Sequence, residues 1–297
     1  MLQSSLKFYK GLYSTTTINQ LTKAVIEQIT VSYPPYEEQE TIADYLDRKC
    51  GKINGAIDVQ KKKIDLLNEL KQTIITNAVT KGLNPDAPMK NSGIYWIDMI
   101  PEHWHLKKMK FLTSCNDDVL SEDTDDNLII KYVEIGDVSN IEGIRNNTEY
   151  TFKEAPSRAR RITKIDDIIV STVRTYLKAV ARINEENLVV STGFAVLRPN
   201  HIDESFLEYA VLSEKFLGEI VSKSVGVSYP AINSTELINI KIPVPPKNEQ
   251  LAIAAYIKDK VSIIDTQISN ANRRIELLNE LKQSIVTEAV TGKIKVC

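Results

Sequence analysis

The heptapeptide LLNELKQ fills residues 66–72 and returns unchanged at residues 277–283. The offset, 277 minus 66, is 211 residues. The same offset links Ile26 to Leu237, Pro34-Pro35 to Pro245-Pro246, Glu38-Gln39 to Glu249-Gln250, Ile64 to Ile275, and Ala78-Val79-Thr80 to Ala289-Val290-Thr291. Roughly half of the positions from 34 to 80 are identical in the second copy. Internal repetition settles architecture before local propensity does. One unit recurs here, with a long stretch of different character between its copies.

Each copy reads as a long helix. The proline pair suits a first helical turn, where a missing N–H has no intrahelical partner to lose. Glu37, Glu38 and Glu249 then sit near the positive end of the helix dipole. In the second copy Ile257, Val261, Ile264, Ile268, Ala271, Ile275 and Leu278 step by four and three, a heptad seam that slips near Leu281 and resumes through Ile285 and Ala289. The matching first-copy positions are Leu46, Cys50, Ile53, Ile57, Gln60, Ile64 and Leu67, with Gly51, Gly55 and Gln60 weakening the run. About 40 residues per helix at 1.5 Å each gives roughly 60 Å. A single apolar stripe needs cover, so the copies are expected to pair antiparallel, within one chain or between chains. The seam residues Ile53, Ile57, Ile64, Leu67, Ile264, Ile268, Ile275 and Leu278 would carry that contact.

Composition excludes several classes. The 297 residues are 42% hydrophobic and 26% charged, with a net charge of -2. No apolar run is long enough to span a membrane, and Met1 to Lys10 has no cleavable leader pattern. Cys50, Cys115 and Cys297 are odd in number and far apart, which fits a reducing cytoplasm rather than a disulfide framework. Charge is uneven along the middle. Cys115 to Glu142 holds nine acidic residues and one basic, whereas Arg145 to Arg182 holds nine basic and four acidic.

The first helix should stop at Lys81-Gly82, ahead of Asn84-Pro85. Residues 83–104 read as a linker. Strand-like runs follow at 128–133, 167–173, 179–183, 188–190 and 194–197, then a helix from Ser205 to about Val221. Residues 94–243 therefore form a mixed α+β domain, flanked by helix copies at 34–82 and 244–297. Thr30-Val31-Ser32-Tyr33 looks like the end of a strand.

The order of these parts is informative: a PPxxEQ-headed helix, the SGIxWIxxIPxxW segment from Ser92 to Trp104, a variable domain closing with Gly226 to Pro246, and the second PPxxEQ helix. The whole resembles the DNA-specificity subunit of type I restriction–modification enzymes. The resemblance implies target-recognition domains that each read half of a split DNA site, and spacer helices that separate the halves and dock methyltransferase subunits. It also implies a protein with no catalysis of its own. S-adenosylmethionine, ATP and Mg would belong to partner methyltransferase and restriction/translocase subunits. The usual family order starts with a complete recognition domain. Gly11 and Ile18-Asn19 here echo only Gly226 and Ile232-Asn233, so residues 1–33 resemble the tail of such a domain. One full reader is expected, with the second supplied by a homodimer.

Double-stranded DNA calls for cations toward phosphates and for donors or acceptors toward base edges. Arg158, Arg160 and Arg161 form a basic cluster that suits phosphate, or else a solvated charged loop. Arg174, Thr175, Tyr176 and Lys178 follow an apolar run, and Arg174 is the leading base reader unless it pairs with Asp166 or Asp167. Ser224, Ser228, Tyr229 and Asn233 form a second polar loop that the resemblance also turns toward DNA. Thr192-Gly193 is either a close backbone approach or a turn.

Other chemistries find little support. Tyr33-Pro34-Pro35-Tyr36 lacks the polar first residue of an amino-methyltransferase motif, and no phosphate-binding loop is present. His103, His105 and His201 have no ligand spacing for zinc. The acidic run Asp117 to Asp126 is expected to be a solvated loop turned away from DNA. The rival reading is a specificity-locus product that docks methyltransferase without reading DNA.

Overall fold

A computed structural model describes residues 33–296 and position 27. The proposed strand end at residues 30–33 and the echo of a recognition-domain tail at residues 1–33 lie almost wholly outside these residues. In chain order the elements are α1 (Tyr36–Lys81), β1 (Met89–Ile94), β2 (Ile97–Pro101), β3 (His105–Lys108), β4 (Thr113–Cys115), β5 (Ile129–Val133), β6 (Val138–Ser139), β7 (Gly143–Ile144) and β8 (Thr148–Thr151). There follow β9 (Ala159–Ile162), β10 (Ile168–Ser171), β11 (Val180–Arg182), β12 (Leu188–Ser191), β13 (Phe194–Pro199), α2 (Glu204–Leu212), α3 (Glu214–Lys223), α4 (Ser234–Leu237), β14 (Lys241–Val244) and α5 (Lys247–Val290). The architecture is α+β. The chain divides into two compact units, Glu69–Ile263 and a second that gathers the segments before and after it.

The second unit is a pair of helix segments. The seam alternates as a heptad stripe must: Ile53, Ile57, Ile264 and Ala271 are buried, Ile64, Leu67, Ile268, Ile275 and Leu278 are half-buried, and their neighbours are mostly exposed. Lys282 Nζ donates to Asn54 Oδ1 at 2.9 Å across the pair. Within the larger unit, Lys81 lines one cavity with Ala252 and Ile253. Descending numbers on α1 thus meet ascending numbers on α5, as in an antiparallel pair within one chain. The helices are 46 and 44 residues long.

The larger unit holds two four-stranded sheets, ordered β11-β10-β13-β4 and β8-β5-β12-β9. All their pairings are antiparallel except β12 with β5. Strand β10 is buried on both faces, which explains its unbroken apolar run. Ile168 and Val170 face one core, shared with Ile75 and Val79 of α1 and Ile253 and Ile257 of α5. Ile169 faces the other, with Val133, Val190 and Phe194. Strand β13 divides likewise, Ala195 and Leu197 to the first core and Phe194 and Val196 to the second.

Three sequence expectations need correction. The linker at 83–104 contains a hairpin, since β1 pairs with β2 antiparallel, and β3 pairs with β14. The helix from Ser205 to Val221 is two helices. Ser213 adopts extended backbone (φ -63°, ψ 139°), accepts from Phe216 N and donates to the Ala210 carbonyl, so one residue ends α2 and caps α3. The acidic run is not simply solvated, because Asp117 and Asp118 both lie within ion-pair distance of Arg198.

The repeat motifs anchor α5 to the sheets. Trp104 is completely buried, and its indole N–H donates to Glu249 Oε2 at 3.0 Å. His103 Nε2 meets Glu249 Oε1 at 2.7 Å. Gln250 Oε1 accepts from Asp203 N at 2.8 Å, and its amide donates to the Pro245 carbonyl at 2.9 Å. Gln39 repeats that last bond to Pro34 at 2.8 Å, yet it is exposed where Gln250 is 4% exposed. Gly82 ends α1 at φ +75°, and a Cβ there would come within 3.1 Å of the Trp104 ring.

Candidate nucleic-acid interface

The segment after β10 turns sharply. Arg174 and Lys178 both occupy the left-handed region, at φ 53° and 51°, on either side of a 3-10 turn at Thr175–Leu177. Arg174, Tyr176 and Leu177 are exposed and Lys178 is half-buried. Non-glycine residues in this region are uncommon and mark places where surroundings over-determine the backbone.

A second segment holds the first in place. Ile232 N donates to the Thr172 carbonyl at 2.9 Å, and Thr175 N to the Pro230 carbonyl at 3.3 Å. Ala231 bridges both Val173 and Val225. The Thr175 hydroxyl donates to Ser224 Oγ at 2.7 Å, and Ser224 donates onward to the Ile220 carbonyl. The Arg174 guanidinium lies over the Tyr229 ring, 5.0 Å from its centroid. The β12–β13 turn joins the same assembly. Thr192 N donates to the Arg158 carbonyl and Thr172 N to the Gly193 carbonyl, both at 2.8 Å.

The four places singled out in the sequence therefore meet, but their residues divide into two kinds. Arg158, Arg174, Tyr176, Ser228 and Tyr229 are exposed. Thr175 is 1% exposed and its hydroxyl is bound to Ser224, so neither residue offers the free polar tip expected of it. Asn233 heads α4 as its N-cap, its backbone N–H donating to the Glu236 carboxylate at 3.4 Å. A Cβ at Gly193 would fall 2.7 Å from Ile135 Cδ1, so the end of that side chain would have to shift for any larger residue there.

The basic cluster also separates. Arg160 and Arg161 lie on strand β9, not on a loop, and successive residues of a strand face opposite ways. Arg160 stacks over Phe152 at 4.7 Å. Arg161 approaches Cys115, and its Nε is buried without a hydrogen-bond partner among the described residues. Burial pushes the Cys115 thiol up to about 11, despite the opposing charge of Arg161, and lowers the Arg161 guanidinium. A bulge between Val190 and Ser191 leaves Arg160 as the extra residue of β9.

The alternative for Arg174, an ion pair with Asp166 or Asp167, is not what forms. Asp166 takes Arg182 at 2.5 Å, and the buried Asp167 takes Arg198 through two bonds of 2.9 and 2.8 Å. Hydrogen bonds to Asp167 and then Asp118 raise Arg198 despite some burial. Among the described residues neither Arg158 nor Arg174 lies within ion-pair distance of a carboxylate. No three metal-ligating side chains converge among those residues, and none of their helices is long and apolar enough to cross a membrane.

The family model for the type I restriction modification DNA specificity domain matches residues 1–75 and 110–279. The chain belongs to that family. It is 27% identical over 303 residues to the type I restriction enzyme MjaVIII specificity subunit of Methanocaldococcus jannaschii, covering 97% of this chain and 68% of that protein. The EcoBI specificity subunit of Escherichia coli is 23% identical, with coverages of 95% and 62%. The chain thus spans about two thirds of the length of these relatives. A chain solved in work on complex assembly and conformational transition of the type I R-M system superposes with a TM-score of 0.68 at 18% identity, covering 97% of this chain and 67% of that one. The likeness in structure concerns the fold. The sequence pointed to the cations and aromatics that these loops bring together. It gave no hint that Thr175, Ser224 and Asn233 serve the scaffold, and the exposed Val225 and Val227 went unnoticed because apolar loop residues carry no motif.

Proposed function

We propose that this chain is a non-catalytic, sequence-reading DNA-binding subunit of a type I restriction–modification system, directing methyltransferase and restriction subunits to a bipartite site. One observation carries the reading. Two loops, 171–178 and 224–233, are locked together by backbone bonds around an exposed arginine stacked on tyrosine and free of carboxylate partners among the described residues. A preorganised cation of this kind suits a guanine edge or a phosphate, and the aromatic ring keeps it extended.

In this proposal S-adenosylmethionine, ATP and Mg act on the partner subunits, in the cytoplasm. The antiparallel helices serve as spacer and as docking surface for methyltransferase. In this reading the described residues supply one recognition domain, so two copies of the chain would provide the two readers of a split site. Twofold symmetry then demands a palindromic site. The test is selection of duplexes from a random pool by the purified full chain. Enrichment of one sequence supports the reading. Binding of methyltransferase with no enriched sequence would favour a docking protein instead.

A further inference from the structure

Beside Arg174 stands an apolar projection that the polar reading of these loops leaves without a task. Val225 N donates to the Ala231 carbonyl at 2.9 Å and Ala231 N to the Val225 carbonyl at 3.0 Å, closing residues 226–230 into a tight loop. Val225 and Tyr229 are strongly exposed, and Val227, near the tip, is fully exposed. The loop is also fastened from beneath by Thr175 N to the Pro230 carbonyl and by the Val173–Ala231 bridge. Val227 is thus a methyl-bearing side chain held outward on a braced loop, with Arg174 stacked on the neighbouring Tyr229.

Resting on the DNA-reading proposal, we infer that Val227 reads the 5-methyl group of a thymine in the major groove. Three considerations select this occupant. The cation at Arg174 draws the loop to a polyanion rather than to an apolar protein face. The thymine methyl is the apolar feature of base edges in that groove, and small apolar side chains recognise it by contact. The bracing means that little loop entropy is lost on contact. Because Val227 is fully exposed, its replacement leaves the fold alone, so binding changes report the contact itself.

The experiment removes the methyl from each side in turn. The full chain first enriches a duplex from a random pool. Binding of that duplex is then compared with copies in which uracil replaces thymine at one position at a time, for wild type and for Val227→Ser. At one thymine position, uracil should weaken wild type about fourfold, the size expected for returning one methyl group to water. It should leave Val227→Ser unchanged, and Val227→Ser should lose the same factor on the thymine duplex. Equal uracil effects in both proteins, a flat uracil scan, or an enriched sequence without thymine overturns the inference while DNA reading stands. Enrichment of no sequence at all overturns both.

Discussion

Arg174 sits at φ 53° and ψ 48°, a backbone conformation that costs an L-residue about 1–2 kcal/mol. The fold bears that cost at an exposed arginine whose guanidinium lies over the Tyr229 ring. Arg174→Ala keeps the backbone cost and loses the guanidinium. In the duplex selection it should relax preference at one base, worth about 1–3 kcal/mol, with the folded state retained. Arg174→Gly also loses the cation but is at ease in this conformation. Urea unfolding should find it about 1 kcal/mol more stable than Arg174→Ala, and equal stability would show the turn to be unstrained. Arg198 makes the opposite case. It holds the carboxylate of Asp167, which is 1% exposed, so Arg198→Met should cost about 3 kcal/mol by stranding that charge. Asp118 hydrogen-bonds the same arginine and also Lys164, and those bonds hold its carboxyl below the usual range. Its contribution is full above the unfolded carboxylate value and is lost as pH falls through the lower folded value. The stability gap between wild type and Asp118→Asn should therefore close on acidification. A gap that persisted at low pH would mean the pairing is not its source. Arg174 was legible as a candidate because a cation following a buried strand has few structural uses. The fate of Arg198 was not, since its acids stand 31 and 80 positions away.

The two long helices were the most legible elements, because a heptad repeat and its terminal glycine or proline fix period and ends from sequence alone. Strands β5, β10, β11, β12 and β13 were legible as apolar runs. β8 and β9 were not, since Thr148–Thr151 is polar almost throughout and Ala159–Ile162 carries two adjacent arginines, so neither shows a strand's alternation. The β1–β2 hairpin was hidden by a register irregularity between Asn91 and Ile94 that interrupts its alternation. Polar groups in the first helix have consequences of their own. Gln60 occupies a seam position, and its amide oxygen is buried without a partner among the described residues. Gln60→Leu removes that unmet acceptor and adds apolar contact. It should stabilise the helix pair by about 1–2 kcal/mol, read as a raised thermal midpoint. A lowered midpoint would place an ordered water or a partner group at that oxygen.

At the scale of the whole molecule, the notable joint is between α5 and the sheets of the larger unit. Glu249→Ala would leave the indole N–H of a completely buried Trp104 unsatisfied and should cost about 1–3 kcal/mol. Glu38→Ala, at the same place in the other copy of the motif, removes an exposed carboxylate and should cost far less. Equal losses from the two would remove the distinction drawn between the copies. Identical letters were read from the sequence as identical helix starts. The structure separates them by what lies opposite, which no local pattern encodes. Self-association belongs to this scale too. Sedimentation at micromolar concentration should show a dimer that DNA reinforces, and a monomer under both conditions would refute twofold reading.

The anchoring atoms come from His103, Trp104, Asp203, Glu249 and Gln250, none of which lies in 171–178 or 224–233. Rewriting the exposed positions of either loop, Arg174, Tyr176 and Val227 to Tyr229 among them, therefore leaves those anchors intact. If these loops read DNA as proposed, a lineage of such chains could drift toward new addresses without renegotiating how it is assembled, and a laboratory library confined to the exposed loop positions would inherit the same freedom.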